Sequence, residues 1–411
     1  MKNKTFKNFS FNMIGSTVNS VTSLFLLIFV IRINGVDIGG IFSFSFSTAC
    51  LLQVIANYAG RAYQVTERSA DISDNDFIYN KIVCCFIMIL AGFIFIFIKN
   101  YSYVKCLILM LLTLFKMIES FAEVIYAIVQ KNDDLYKVGI SLFLKGLLGI
   151  VIFLLVDLFT KNVMLSILSL ILLNIIIIVF YDIINLKKYN LKMKKMKLNN
   201  VLKIFKFGFF TFTLTLMTQY VINASKYSID NYLSDKYQTV FGIIVMPATV
   251  IILCGQFIIH PFLNKLTNFL KNKQINEFNK MIFKLSLTIL MFGICSCVIA
   301  YFIGIPFLQL LYKIKLGKYL IDLVLIVFGS TCFGVAYIIS NALITLRDTF
   351  SQVIIFIVTS LFAFFISNYL VLKFGIHGAS YSYLYTMIFL MVVYIGYYIV
   401  KQIFYCRKKY L

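Results

Sequence analysis

The sequence has no tryptophan, three prolines and two histidines among its 411 residues. Charge is scarce as well, at 13% of positions. Soluble domains carry about 25% charged residues, so this chain cannot cover a water-facing surface of its own. A hydrophobic fraction of 61% and a mean hydropathy of +0.93 exclude disorder and point to a chain embedded in a membrane. Metal-binding spacings are missing too. His260 and His377 are far apart, and the nine cysteines form no Cys-x-x-Cys pair. The cysteines lie mostly inside apolar runs and read as small core residues. No G-x-x-x-x-G-K-[ST] string occurs, so direct use of ATP is not expected, and no cofactor or metal is implied.

Acidic residues are the scarcer sign: 16 Asp and Glu against 38 Lys and Arg, a formal charge of +22. In a soluble protein that excess would suggest nucleic acid. Here the basic residues sit in the connections between apolar runs, where they set orientation instead. The wealth of Lys, Asn, Ile, Phe and Tyr, a mark of AT-rich coding, accounts for part of it. No nucleic-acid partner is expected.

What is present is a series of apolar runs. Twelve spans are expected: Phe11–Ile33, Ile38–Ala59, Ile82–Ile98, Val104–Val129, Val138–Val156, Val163–Ile184, Phe207–Asn223, Thr239–Ile259, Phe283–Ile303, Leu323–Leu346, Phe350–Leu372 and Ala379–Val400. Each is near the 20 residues or so that a helix needs to cross the bilayer, and twelve use roughly 240 residues. No room remains for a soluble catalytic domain. Strands this apolar could not line a polar barrel, so the fold class is all-α. The basic start Met1–Ser10 runs directly into a spanning segment, so no cleavable signal peptide is expected. With the N-terminus inside, 26 of the 38 basic residues fall on inner segments and ten outside. That asymmetry predicts both termini in the cytoplasm.

The basic stretch Lys187–Lys206 divides the chain. The expected organisation is a six-helix bundle over 1–185, a cytoplasmic linker over 186–206 and a second six-helix bundle over 207–411. Leu191, Met193, Met196, Leu198, Leu202 and Phe205 alternate with lysines in the linker, which suits either a helix on the anionic leaflet or a solvated connection. Both halves open with a hydroxyl-rich span, Asn12 to Ser20 and Thr211 to Gln219. An even number of spans per half makes the repeats parallel.

Charges inside spans are costly, about 2.5–3.5 kcal/mol at the bilayer centre, so they mark sites. Span four carries Lys116, Glu119, Glu123, Tyr126 and Gln130, which fall on one helical stripe. An aqueous cavity is the preferred reading; a buried network that includes a Lys116–Glu119 pair is the other. Lys145 in span five is a partner for Glu119 or Glu123, or a cargo contact. Two further clusters lie at span ends. Gly60-Arg61-Ala62-Tyr63-Gln64-Val65-Thr66-Glu67 follows span two, after Gln53 and Asn57. Asn223-Ala224-Ser225-Lys226-Tyr227-Ser228-Ile229-Asp230 follows span seven, after Gln219. Arg61 and Lys226 read either as interfacial anchors or as anion contacts.

These two clusters carry a resemblance. Arg61-Ala62-Tyr63-Gln64-Val65-Thr66 and Asn223-Ala224-x-Lys226-Tyr227, with Ile229-Asp230 and Tyr232-Leu233, are similar to segments of the polysaccharide repeat-unit flippases. Those O-antigen and capsule transporters belong to the multidrug/oligosaccharidyl-lipid/polysaccharide exporter superfamily. The family often has proline where Ser225 stands. The resemblance implies a V-shaped central cavity between two six-helix bundles, alternating access in the bacterial cytoplasmic membrane, and a lipid-pyrophosphate-linked oligosaccharide as cargo. It also implies a polysaccharide polymerase and glycosyltransferases as pathway partners. Arg61, Lys226, Lys116, Lys145 and Arg32 would meet the anionic headgroup, with Gln53, Asn57, Gln219 and Asn223 meeting sugars. Glu119, Glu123, Asp230 and Asp37 are the candidates for proton or sodium coupling. A cation-coupled multidrug antiporter is the first alternative. A membrane polymerase or glycosyltransferase is the second, resting on the Asp-x-Asp at Asp74-Asn75-Asp76.

Overall fold

Chains in lipid must satisfy every backbone hydrogen bond internally, and this one does so with helices. The computed structural model describes residues 2–66, 72–189, 197–259, 262–346 and 348–407, and no strand occurs among them. The chain runs through α1 (Lys2–Asn34), α2 (Val36–Ala56), the short α3 (Arg61–Thr66), α4 (Asp74–Lys99), α5 (Tyr103–Lys131), α6 (Leu135–Thr160), α7 (Val163–Ile177) and α8 (Ile183–Lys187). It continues through α9 (Leu198–Tyr232), α10 (Asp235–Ile259), α11 (Leu263–Lys271), α12 (Ile275–Ile299), α13 (Ile305–Tyr312), α14 (Leu320–Thr345) and α15 (Thr349–Arg407). Single π-helical turns at Ile178–Asp182 and Ala300–Gly304 join α7 to α8 and α12 to α13 without ending either helix.

Ten helices among the described residues are long and apolar enough to cross a membrane, which makes this a multi-pass membrane protein. The helix α5 is not one of them, because Lys116 and Glu119, joined by Lys105 or Glu123, leave no span-length stretch of it poor enough in charge. The helix α15 contains a break at Gly375, where φ is 58° and ψ is −134°. That backbone conformation is open to glycine and strained for residues with a Cβ.

Contacts divide the chain into two compact units, Met1–Leu216 and Met217–Leu411. In the first, α1 packs along α6. A Cβ on Gly139 would lie 2.2 Å from the carbonyl oxygen of Phe11, and one on Gly15 would lie 2.0 Å from that of Gly139. Missing side chains thus bring these two backbones together, as small residues do in membrane helices. In the second, α14 is the buried centre, packed by α10, α12 and α15.

Three boundaries differ from expectation. The helix of span seven continues past its expected end at Asn223 to Tyr232; it has no proline or glycine to stop it there. The stretch after Gly304 forms α13, with Pro306 tolerated in the first turn. The expected linker ends inside a helix, since Leu198 to Lys206 open α9; Leu191, Met193 and Met196 lie outside the described residues.

Candidate functional site

The polar stripe of α5 does form, and its partners are now visible. Lys116 Nζ lies 2.7 Å from Glu119 Oε2, one helical turn along. The Lys116 ammonium also rests 4.7 Å from the Phe46 ring and 5.2 Å from the Phe115 ring. Glu123, Tyr126 and Gln130 converge on Arg61. The first residue of α3, Arg61, donates from Nε to Gln130 Oε1 at 2.8 Å. Its Nη1 stands 3.7 Å from Glu123 Oε2, and its guanidinium is 5.8 Å from the centre of the Tyr126 ring. Arg61 is therefore turned against α5, and the structure joins two sequence features that are about sixty residues apart. The pairing with Glu123 is a loose one, and the two side chains keep 21% and 32% of their exposure.

Beneath Arg61 lies a tighter network. Lys145 Nζ donates to Tyr126 Oη at 2.6 Å and to Asp182 Oδ2 at 2.8 Å. The Tyr126 and Ser141 hydroxyls share a hydrogen bond of 2.9 Å. Lys145 and Asp182 are 4% and 3% exposed. The expected partner of Lys145, Glu119 or Glu123, is thus replaced by Asp182. The π-helical turn delivers it: one extra residue in the turn rotates the helix and aims Asp182 inward. Asp182 lies within the sixth apolar run, so the rule that charge inside a span marks a site would have found it.

The remaining residues are more dispersed. Gln53 donates to the Lys116 carbonyl at 3.4 Å. Asn57 accepts from buried Lys81 at 3.1 Å, while the same ammonium caps the end of α2 at the Ala56 carbonyl, 2.7 Å away. Arg32 and Asp37 are exposed on either side of the turn at Gly35. Between them Asn34 donates to both oxygens of Asp157, at 2.8 Å each, and Ser166 donates to the same carboxylate.

In the second unit, Asn223 is buried and donates to the Gln219 carbonyl at 3.0 Å. Ser225 is buried against Ser382, and Ser228 donates to Asn368. The small residues of this cluster therefore fix α9 to α15. Lys226 and Asp230 are half-buried on the same helix, and the Lys226 carbonyl accepts from Gln238 at 2.6 Å.

The Asp-x-Asp of the enzyme alternative has structural work. Asp76 closes the capping box of α4 with Ser73 and accepts from Asn200 at 3.0 Å. Asp74 accepts from Lys131 at 2.7 Å and from Gln64 at 3.2 Å. No cluster of three metal-ligating side chains occurs among the described residues.

No family model matches the chain. The capsular polysaccharide biosynthesis protein CapF of Staphylococcus aureus is 24% identical over 97% of this chain and all of that protein. Among solved structures, the lipid II flippase MurJ in an inward closed conformation superposes with a TM-score of 0.72 at 15% identity, covering 93% of this chain and 86% of that one. An inward-facing multidrug resistance MATE transporter of the MOP superfamily matches with a TM-score of 0.61 at 12% identity, over 97% and 94%. The MATE transporter VcmN of Vibrio cholerae, in its bent form, matches with a TM-score of 0.62 at 11% identity, over 97% and 96%. The chain is thus similar over its whole length to a capsular polysaccharide biosynthesis protein, and it shares the fold of the MurJ and MATE transporters.

Proposed function

We propose that the chain moves a lipid-pyrophosphate-linked oligosaccharide from the inner to the outer leaflet of the bacterial cytoplasmic membrane, by alternating access, for capsule or O-antigen assembly. The observation that carries this is Arg61. Lys116 and Lys145 each hold a carboxylate at 2.7 and 2.8 Å. Arg61 faces Glu123 at 3.7 Å and stays partly exposed on a polar stripe. An anionic headgroup offers a guanidinium bidentate hydrogen bonds that this geometry does not supply. Glu123 then acts as an internal placeholder that the cargo displaces. Lys226 is the corresponding candidate on α9.

Twelve crossings with both termini in the cytoplasm fit this reading: ten apolar helices, α5 in addition, and α15 counted twice across its break. Hydrogen bonds favour the same parity. Segments expected inside meet one another at Lys4–Asp134 and Tyr189–Asp134, and at Asp348–Lys401. Segments expected outside meet at Asn34–Asp157 and at Asp322–His377. Coupling to a proton or to sodium would act on Glu123 or Glu119 in competition with their present partners. Asp37 and Asp230 are the other candidates. A polymerase and glycosyltransferases would handle the cargo before and after the crossing.

The test is complementation of a deletion strain, read as lipid-linked intermediate accumulating on the inner face. Arg61→Ala should lower export about 10–100-fold, the loss of a charge-assisted hydrogen bond of roughly 1.5–3 kcal/mol. Arg61→Lys should fall between. Full export by a normally inserted Arg61→Ala protein overturns the assignment. The MATE-like fold favours a second reading, a multidrug antiporter. Drug resistance conferred on a pump-deficient host, with no effect on polysaccharide, would select it.

A further inference from the structure

One charged pair has no part in the cargo reading. His377, one of two histidines in the chain, stands two residues beyond the break at Gly375. Its Nδ1 lies 2.8 Å from Oδ2 of Asp322, in the first turn of α14. The partners are unequal: the Asp322 side chain is 2% exposed and that of His377 is 49% exposed. The Tyr319 ring lies alongside the imidazole, with centroids 5.9 Å apart. The second ring nitrogen makes no hydrogen bond among the described residues.

We propose that the His377–Asp322 pair is a proton-operated clasp that ties the second half of α15 to the start of α14. A neutral imidazole donates Nδ1–H to the carboxylate as a simple hydrogen bond. Proton uptake at Nε2 of this half-exposed side chain turns the same contact into an ion pair with a carboxylate shielded from water. Charge-assisted bonds are about twice as strong as neutral ones, so acid tightens the clasp and alkali loosens it. Gly375 supplies the hinge about which the freed half-helix turns.

Other ionisable groups lie on the neighbouring segments. Lys373, on the other side of the break, lies over the Tyr369 and Phe374 rings at 5.8 and 5.3 Å. Lys318 and Tyr319 come from the turn before α14, Tyr381 from α15 beside Phe374, and Tyr237 from α10 faces Tyr319. No second carboxylate is bonded to His377 among the described residues.

The absence of tryptophan makes a clean probe. A Phe374→Trp reporter in the full-length protein, in lipid nanodiscs, is titrated from about pH 5 to 9. One fluorescence transition is expected across the titration. His377→Gln should abolish it and His260→Gln should leave it. A transition that survives His377→Gln, or that His260→Gln removes, overturns the clasp. As a second measurement without the reporter, hydrogen exchange at residues 372–380 should be about fivefold slower at pH 6 than at pH 8 after correction for intrinsic rates, a difference of roughly 1 kcal/mol. Equal protection at both pH values refutes it.

Discussion

Replacing Lys145 by methionine would leave the Asp182 carboxylate 3% exposed and without its cation. Removing one partner of a buried pair costs about 3–5 kcal/mol, because an uncompensated charge stays behind. Asp182→Leu would strand the ammonium of Lys145, which keeps only the Tyr126 hydroxyl, at a similar cost. The double variant Lys145→Met/Asp182→Leu removes both charges, and apolar replacement of a buried pair is often near neutral. Tyr126 retains Ser141 in that variant. The expected pattern is two strongly destabilised single variants and a double variant within about 1–2 kcal/mol of the parent, where additivity would give about 6–10. The assay is heating in detergent, with the folded fraction read from the size-exclusion peak. A double variant as unstable as the sum of the singles would show that Lys145 and Asp182 do not act as a unit.

Gly139→Ala should cost about 1–3 kcal/mol, because its Cβ would meet the Phe11 carbonyl at 2.2 Å. Gly146→Ala, whose nearest neighbour is a Val18 methyl at 3.0 Å, should cost less, and the same heating assay ranks them. Acid should release the Asp348–Lys401 contact. Burial pushes the Asp348 carboxyl up, but hydrogen bonds from Lys401, Tyr397 and Ser351 outweigh it and hold the carboxyl at about 2, below its ordinary 3.8. A depressed carboxylate stabilises the fold above about pH 4 and stops doing so as pH falls through about 2, so roughly 1–2 kcal/mol is lost across that window. Asp348→Asn should be less stable than the parent at pH 6, and the gap should close by about pH 2 in an acid titration of the folded fraction.

The sequence by itself determined the membrane, the helices and the order of the spans. Apolar runs of about 20 residues have one outcome in a bilayer, because lipid offers no hydrogen bonds to a bare backbone. The stripe on α5 was legible for the same reason: helical spacing alone places Lys116, Glu119, Glu123, Tyr126 and Gln130 on one face. Composition could not say what that face meets. Arg61 read as equally suited to an interface anchor or an anion contact, and only packing turned it onto Glu123 and Gln130. Asp182 is legible as a charge within the sixth apolar run; its pairing with Lys145 is not, because one extra residue in a π-helical turn leaves no mark on hydropathy. The helix through Asn223–Tyr232 is not legible in the sequence, because its polar residues resemble a connection until α15 is seen to bury Ser225. Local propensity and solvent decide the elements. Which cation holds which carboxylate is decided by contacts between residues far apart in the chain, and those exist only in the tertiary structure.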